Sequence, residues 1–132
     1  YCDIIVGNEN EFGIICNEPE NSLEFAKNLS KDSKMVIYKM GSKGSITFFN
    51  KEIIKKGIFK VNALKPTGAG DAFMGGFIGS IISGEDIENS IIFGSASAAL
   101  VVTKVGCSEA MPDILELKNF MNNNNISFFE GE

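Results

Sequence analysis

The sequence contains no histidine and no tryptophan, and all 12 of its basic residues are lysine. Without imidazole there is no Ser-His-Asp hydrolysis, no Cys-His proteolysis and no His-ligated zinc. Without arginine, an arginine finger would have to come from a partner. Cysteine is scarce: Cys2, Cys16 and Cys107 are odd in number and show no C-x-x-C spacing. That argues against a disulfide framework and a thiolate zinc site, and it fits a reducing, cytoplasmic setting. Long apolar runs are missing too. Low-charge stretches such as 72–84 fall short of the roughly 20 residues of a membrane span, and no signal-peptide pattern opens the sequence, so no membrane partner is expected. Positive charge is in deficit, 12 basic against 17 acidic groups for a net −5, which disfavours non-specific binding to nucleic acid.

What remains is ample apolar mass. With 44% hydrophobic residues in 132, the chain is one globular domain or part of a larger one. It opens on Tyr1 and runs at once into the strand-like Asp3-Ile4-Ile5-Val6. We therefore expect the C-terminal part of a longer polypeptide.

Hydrophobic periodicity and caps predict the elements. Ile4 to Val6 reads as a strand ending in Gly7, and Asn8 as the N-cap of a helix over 9–15. Asn21, with Glu24 three residues on, has capping spacing for a second helix whose Leu23, Phe25, Ala26 and Leu29 share a face. Residues 35–40 and 45–49 read as two strands joined by Gly41-Ser42-Lys43-Gly44, Asn50-Lys51 as a turn, and 58–62 as a further alternating strand. Helices are predicted over 71–83, 88–104 and 113–121, with Asp86 and Asp113 as N-caps, and Asn122 to Asn125 as a loop. Strands alternating with helices early and helices packing late argue for an α/β layered architecture in one domain.

The segment after the last predicted strand carries the chemistry. Gly68-Ala69-Gly70 allow the backbone to approach a ligand, and the helix leaving at Asp71 opens with unpaired amide donors and a partial positive charge. A phosphate is the natural guest. Asp71 beside it is repelled unless it has a task, such as accepting the proton of a substrate hydroxyl as that hydroxyl attacks a phosphoryl group. The alternative is that Asp71 only caps its helix, with Gly75, Gly76 and Gly79 allowing close packing. Two better-known phosphate loops do not fit: G-x-x-x-x-G-K-[ST] is absent, and Phe73 occupies the third glycine position of the dinucleotide fingerprint.

The run PTGAGDAFMGGF, from Pro66 to Phe77, resembles the signature of the ribokinase-like, or PfkB, family of carbohydrate kinases. Asn8-Glu9-Asn10-Glu11 resembles the family's N-x-x-E motif, Lys39 to Gly44 its nucleotide-side G-x-x-G turn, and Ala96 to Pro112 the segment that closes over adenine. The resemblance implies a ribokinase-like α/β sandwich of which this chain is the C-terminal portion, with the N-terminal sugar-binding strands, lid and early glycine motif having no counterpart. It implies transfer of the ATP γ-phosphoryl to a hydroxyl of a small sugar or sugar acid, with Asp71 as base and Gly68, Ala69 and Gly70 as the anion hole. It also implies that Asn8 and Glu11 organise Mg2+ and its waters. Lys39, Gly41, Gly44 and Thr67 fall at nucleotide-side positions, and Ala96, Ala99, Gly106 and Cys107 at the adenine wall.

Each assignment has a plainer counterpart: a helix cap for Asn8, a solvated first-turn charge for Glu11, a hairpin turn at 41–44 with a solvated Lys43, and core packing for Ala96, Ala99 and Val102. Lys65 stands where many members carry an acidic residue that helps bind a monovalent cation, so its ammonium replaces that ion in this reading. Lys65 and the stretch 106–112 resemble the branch that phosphorylates 5-dehydro-2-deoxygluconate in inositol breakdown. Ribose, fructose and 2-keto-3-deoxygluconate are the other acceptors considered. A nucleotide-binding module without kinase activity is the alternative function. By itself this portion is expected to be inactive, and to self-associate as a homo-oligomer through apolar surface that the remainder would cover.

Overall fold

β-Branched and aromatic side chains build the first of two units in the computed structural model, which describes residues 3–31, 35–62, 68–103 and 113–129. That unit spans Tyr1–Gly57 with Phe129–Glu132, and the second spans Ile58–Phe128. In the first, β1 (Ile4–Asn8), β2 (Met35–Lys39), β3 (Ser45–Phe49) and β4 (Glu52–Lys56) form a sheet in that spatial order. β1 and β2 are parallel and are bridged in sequence by α1 (Glu9–Cys16) and α2 (Ser22–Leu29), whereas β2, β3 and β4 form an antiparallel meander. Parallel strands need such a crossover, antiparallel ones only a turn.

Alternation sorts the faces of the sheet. Val36, Tyr38, Ile46 and Phe48 share a buried cluster with Phe12 of α1 and Ala26 of α2, and Phe25, Leu29 and Phe129 pack against it. Phe12 stacks on Tyr38 with ring centroids 5.5 Å apart, and a Cβ on Gly7 would press within 3.0 Å of the Phe12 ring. Tyr38 Oη finds its partner in Ser22 Oγ at 2.6 Å, a buried pair of the kind a phenol needs when it leaves water.

Two expectations for this unit are corrected. Asn21 does not cap α2 through its side chain: it ends a 3-10 turn at φ −106°, ψ 12°, outside the extended geometry of a capping residue. Its Nδ2 donates instead to Glu18 Oε2 at 2.7 Å. Leu23, expected on the inner face of α2, is 37% exposed, and Ser22 takes the buried position. β4, with its sequence Glu52-Ile53-Ile54-Lys55-Lys56, carried no alternation to announce it. Its pairing is made by the two-residue turn before it, where Asn50 and Lys51 both adopt positive φ, 51° and 64°. That geometry matches the twist of an antiparallel pair.

The second unit is helical: α3 (Ala69–Ile82), α4 (Ile87–Val102) and α5 (Ile114–Asn123). Asp86 and Asp113 cap α4 and α5 as expected, accepting from Asn89 N at 2.7 Å and Glu116 N at 2.8 Å. α5 runs on through Asn123, beyond the expected start of the loop, and Asn124 Nδ2 donates to Phe120 O at 2.9 Å. The stretch 58–62 is not a sheet strand. Phe59 makes an isolated antiparallel bridge to Ile126, and Ser127 ties the same segment by donating to Ile58 O at 2.7 Å. Its alternation records burial, with Phe59 4% exposed and Lys60 exposed, rather than pairing. Phe59 packs with Phe93, Ala96, Ala99 and Leu117, and its ring meets Phe120 edge-on at 5.2 Å.

Candidate active site

In the first unit, the carboxyl ends of β1 and β2 bring together five of the sequence-predicted residues. Register places Asn8 opposite Lys39. Asn8 is extended, at φ −99° and ψ 177°, and it begins α1 with a reciprocal capping box. Its Oδ1 accepts from Glu11 N at 2.8 Å, and Glu11 Oε1 accepts from Asn8 N at 2.9 Å. The box satisfies two orphan donors and sets the N-x-x-E pair rigidly at the sheet end. Both side chains are exposed, and Glu11 Oε2 takes no part in the box.

After Lys39 the chain turns through Gly41–Lys43 and returns at Ser45. Met40 N donates to Gly44 O at 2.8 Å and Gly44 N to Gly41 O at 3.1 Å, closing a tight loop. Gly44 sits at φ +114°, and a Cβ there would collide with the Lys56 carbonyl oxygen and stand 2.9 Å from Gly57 Cα. Only glycine fits this crossing. Lys43, at the tip, is exposed.

In the second unit, Gly68 adopts φ +89° and turns the chain into α3. The first rung of the helix is Ala72 N to Gly68 O at 2.9 Å. The amides of Ala69, Gly70 and Asp71 precede it and have no intrahelical acceptor, and among the described residues no side chain caps this end. Asp71 is exposed in the first turn. Ala72, fully buried, packs on Val101 and seats this end of α3 on α4. Farther along, Gly76 approaches α4 so closely that a Cβ on it would lie 2.9 Å from Phe93 O.

Ala96 and Ala99 are 0% and 6% exposed and serve as packing with Phe59, Phe93 and Leu117. Val102 is buried as well. Lys65, Thr67, Gly106 and Cys107 lie outside the described residues.

A magnesium ion would find no ready-made cage here: among the described residues no group of three or more His, Cys, Asp or Glu side chains could hold a metal. The Asn8–Glu11 pair fits a looser role, because magnesium keeps several of its waters and takes few direct carboxylates. One exposed carboxylate locked by its own cap can hold those waters without dehydrating the ion.

One polar set escaped the reading from sequence. Ser45 and Thr47 of β3 bury hydroxyls that have no hydrogen-bond partner among the described residues, on the face opposite Ile46 and Phe48. In sequence they are ordinary strand residues, and only register shows their neighbours: Lys39 and Lys56 flank Ser45. Among the described residues, no helix is long and apolar enough to cross a membrane.

The chain is similar to the 5-dehydro-2-deoxygluconokinase of Bacillus subtilis, 35% identical over 122 residues that cover 90% of this chain and 38% of the relative. Among solved structures it is similar to a ribokinase from Thermotoga maritima, with a TM-score of 0.83, 32% identity and coverage of 92% of this chain and 42% of that one. It is also similar to a putative ribokinase II from E. coli in complex with ATP and Mg2+, with a TM-score of 0.79, 28% identity and coverage of 92% and 39%. The α/β fold is thus ribokinase-like, and the chain spans well under half the length of these proteins. The family model of pfkB carbohydrate kinases matches residues 1–114, and the chain belongs to that family.

Proposed function

We propose that the full-length protein transfers the γ-phosphoryl of ATP to a hydroxyl of a sugar acid, 5-dehydro-2-deoxygluconate. The observation that carries the phosphoryl-transfer reading is the left-handed bend at Gly68, which delivers an α3 N-terminus with no side-chain cap among the described residues and with Asp71 exposed in its first turn. The choice of acceptor rests on likeness to the B. subtilis kinase.

In this reading the amides of Gly68, Ala69 and Gly70 donate to oxygens of the transferring phosphoryl group, where preorganised dipoles act most strongly on developing charge. Asp71 Oδ accepts the proton of the acceptor hydroxyl as the new P–O bond forms and the bond to ADP breaks. Asn8 and Glu11 hold the waters of the magnesium ion. When bound, that ion neutralises charge on the phosphates. Lys39 and the loop of Gly41 and Gly44 line the nucleotide, the glycines letting the backbone come close. The buried positions of Ala96 and Ala99 support α4 behind the site.

The test is sugar-dependent release of ADP by the full-length protein, over a panel holding 5-dehydro-2-deoxygluconate, ribose, fructose and 2-keto-3-deoxygluconate. Turnover is expected with the first. Preference for another member of the panel replaces the acceptor but not the reaction. ATP binding without turnover on any of them points to a nucleotide-binding module instead.

A further inference from the structure

Four residues from four strands stand in one row on one face of the sheet: Asn8 pairs with Lys39, Lys39 with Ser45, and Ser45 with Lys56. The row lies at the carboxyl ends of β1 and β2, where the turn 41–44 leaves the sheet. Neighbouring strands are about 4.8 Å apart, so the two lysine stems rise about 10 Å from each other with Ser45 between them. Each lysine carries a four-carbon stem long enough to bring its ammonium to an anion held between them. Ser45 itself is 5% exposed and its hydroxyl has no partner among the described residues, a condition that folded proteins seldom tolerate without a reason. Lys39 and Lys56 are both half-buried, as lysines are when the stem packs and the ammonium stays at the surface.

β4 carries two adjacent lysines, and the structure separates their roles. Lys55 is exposed on the other face, with its ammonium 5.6 Å from the centre of the Phe129 ring, a cation–π distance. Lys56 shares its face with Ser45 and Lys39. Its carbonyl is also the wall against which Gly44 closes, so the end of β4 is in contact with the turn at the nucleotide side.

We infer that Lys56 is a further anion-binding residue of the nucleotide site, its ammonium joining that of Lys39 on oxygens of the terminal phosphates of a nucleoside triphosphate. The inference rests on the kinase reading and adds to it a residue from the strand that the sequence pattern did not reveal.

The experiment is calorimetric titration of the full-length protein with ATP and with adenosine, which lacks the phosphates. Lys56→Met is expected to weaken ATP roughly threefold to tenfold, the range for a partly screened charge-assisted contact, and to leave adenosine unchanged. Lys56→Arg keeps the charge and the strand, and should retain ATP affinity; Lys55→Met should change neither ligand. Unaltered ATP affinity in Lys56→Met, or equal weakening of adenosine, overturns the role of Lys56 and leaves the kinase reading intact. Failure of the unaltered protein to bind ATP overturns both. ATP binding with the expected Lys56 dependence but no phosphoryl transfer upholds the anion site and overturns the kinase reading alone.

Discussion

Gly76 of α3 and Gly94 of α4 face each other at the helix crossing, where a Cβ on Gly76 would stand 3.2 Å from Gly94 Cα and 2.9 Å from Ser97 Cβ. A Cβ on Gly94 would in turn stand 2.9 Å from Phe73 O. Neither backbone atoms nor a buried Ser97 can yield cheaply, so the pair sets how closely α3, which carries Asp71 in its first turn, lies on its neighbour. Gly76→Ala is expected to destabilise the protein by about 1–3 kcal/mol through overpacking. Gly79, on the same helix, has nothing among the described residues within 4 Å of its missing Cβ, so Gly79→Ala should stabilise by about 0.4–1 kcal/mol through helix propensity. Thermal or urea unfolding of the two variants side by side checks both signs, and a stabilising Gly76→Ala would refute the tight crossing.

The Ser22–Tyr38 hydrogen bond predicts a second stability effect. Tyr38→Phe leaves the buried Ser22 hydroxyl without its partner, at a cost of about 1–3 kcal/mol. Adding Ser22→Ala removes the orphan, so the double variant should lose less than the sum of the two single losses. A double-mutant cycle in urea measures the difference, and strict additivity would show that the bond contributes nothing.

The capping box separates the structural role of Asn8 from its proposed service to magnesium. Asn8→Ala removes the cap of α1 and should cost about 1 kcal/mol of stability. Asn8→Ser keeps a capping oxygen but not the amide. It should remain nearly as stable while the magnesium concentration for half-maximal turnover rises about tenfold, the lower range for residues that act on a metal through its shell. An unchanged magnesium requirement would reduce Asn8 to a cap.

Asp71→Asn keeps the size of the side chain and removes the base, so in the full-length protein turnover should fall roughly 10²- to 10⁴-fold, the range of general-base contributions. Calorimetry should find ATP affinity little changed. Near-normal phosphoryl transfer would take Asp71 out of the base role.

Local chemistry made part of this protein legible in one dimension. Asn8, Asp86 and Asp113 announce their helices because a cap is a contact between residues three apart, as the bonds from Glu11, Asn89 and Glu116 to these caps bear out. The segment from Pro66 to Phe77 announces its family because the bend and the amides that follow it are consecutive in the chain. Tertiary structure alone decided the remainder. β4 exists because Asn50 and Lys51 take positive φ and fold it onto β3, which its own pattern does not show. The alternation at 58–62 leads to a bridge and not a strand because burial imprints the same period as pairing. The packing of Phe59 and Leu117 with Ala96 and Ala99 joins distant parts of the chain. The row that joins Asn8, Lys39, Ser45 and Lys56 is a matter of register. Register is set by pairing between distant strands, and a shift of one residue would turn every one of these side chains to the other face.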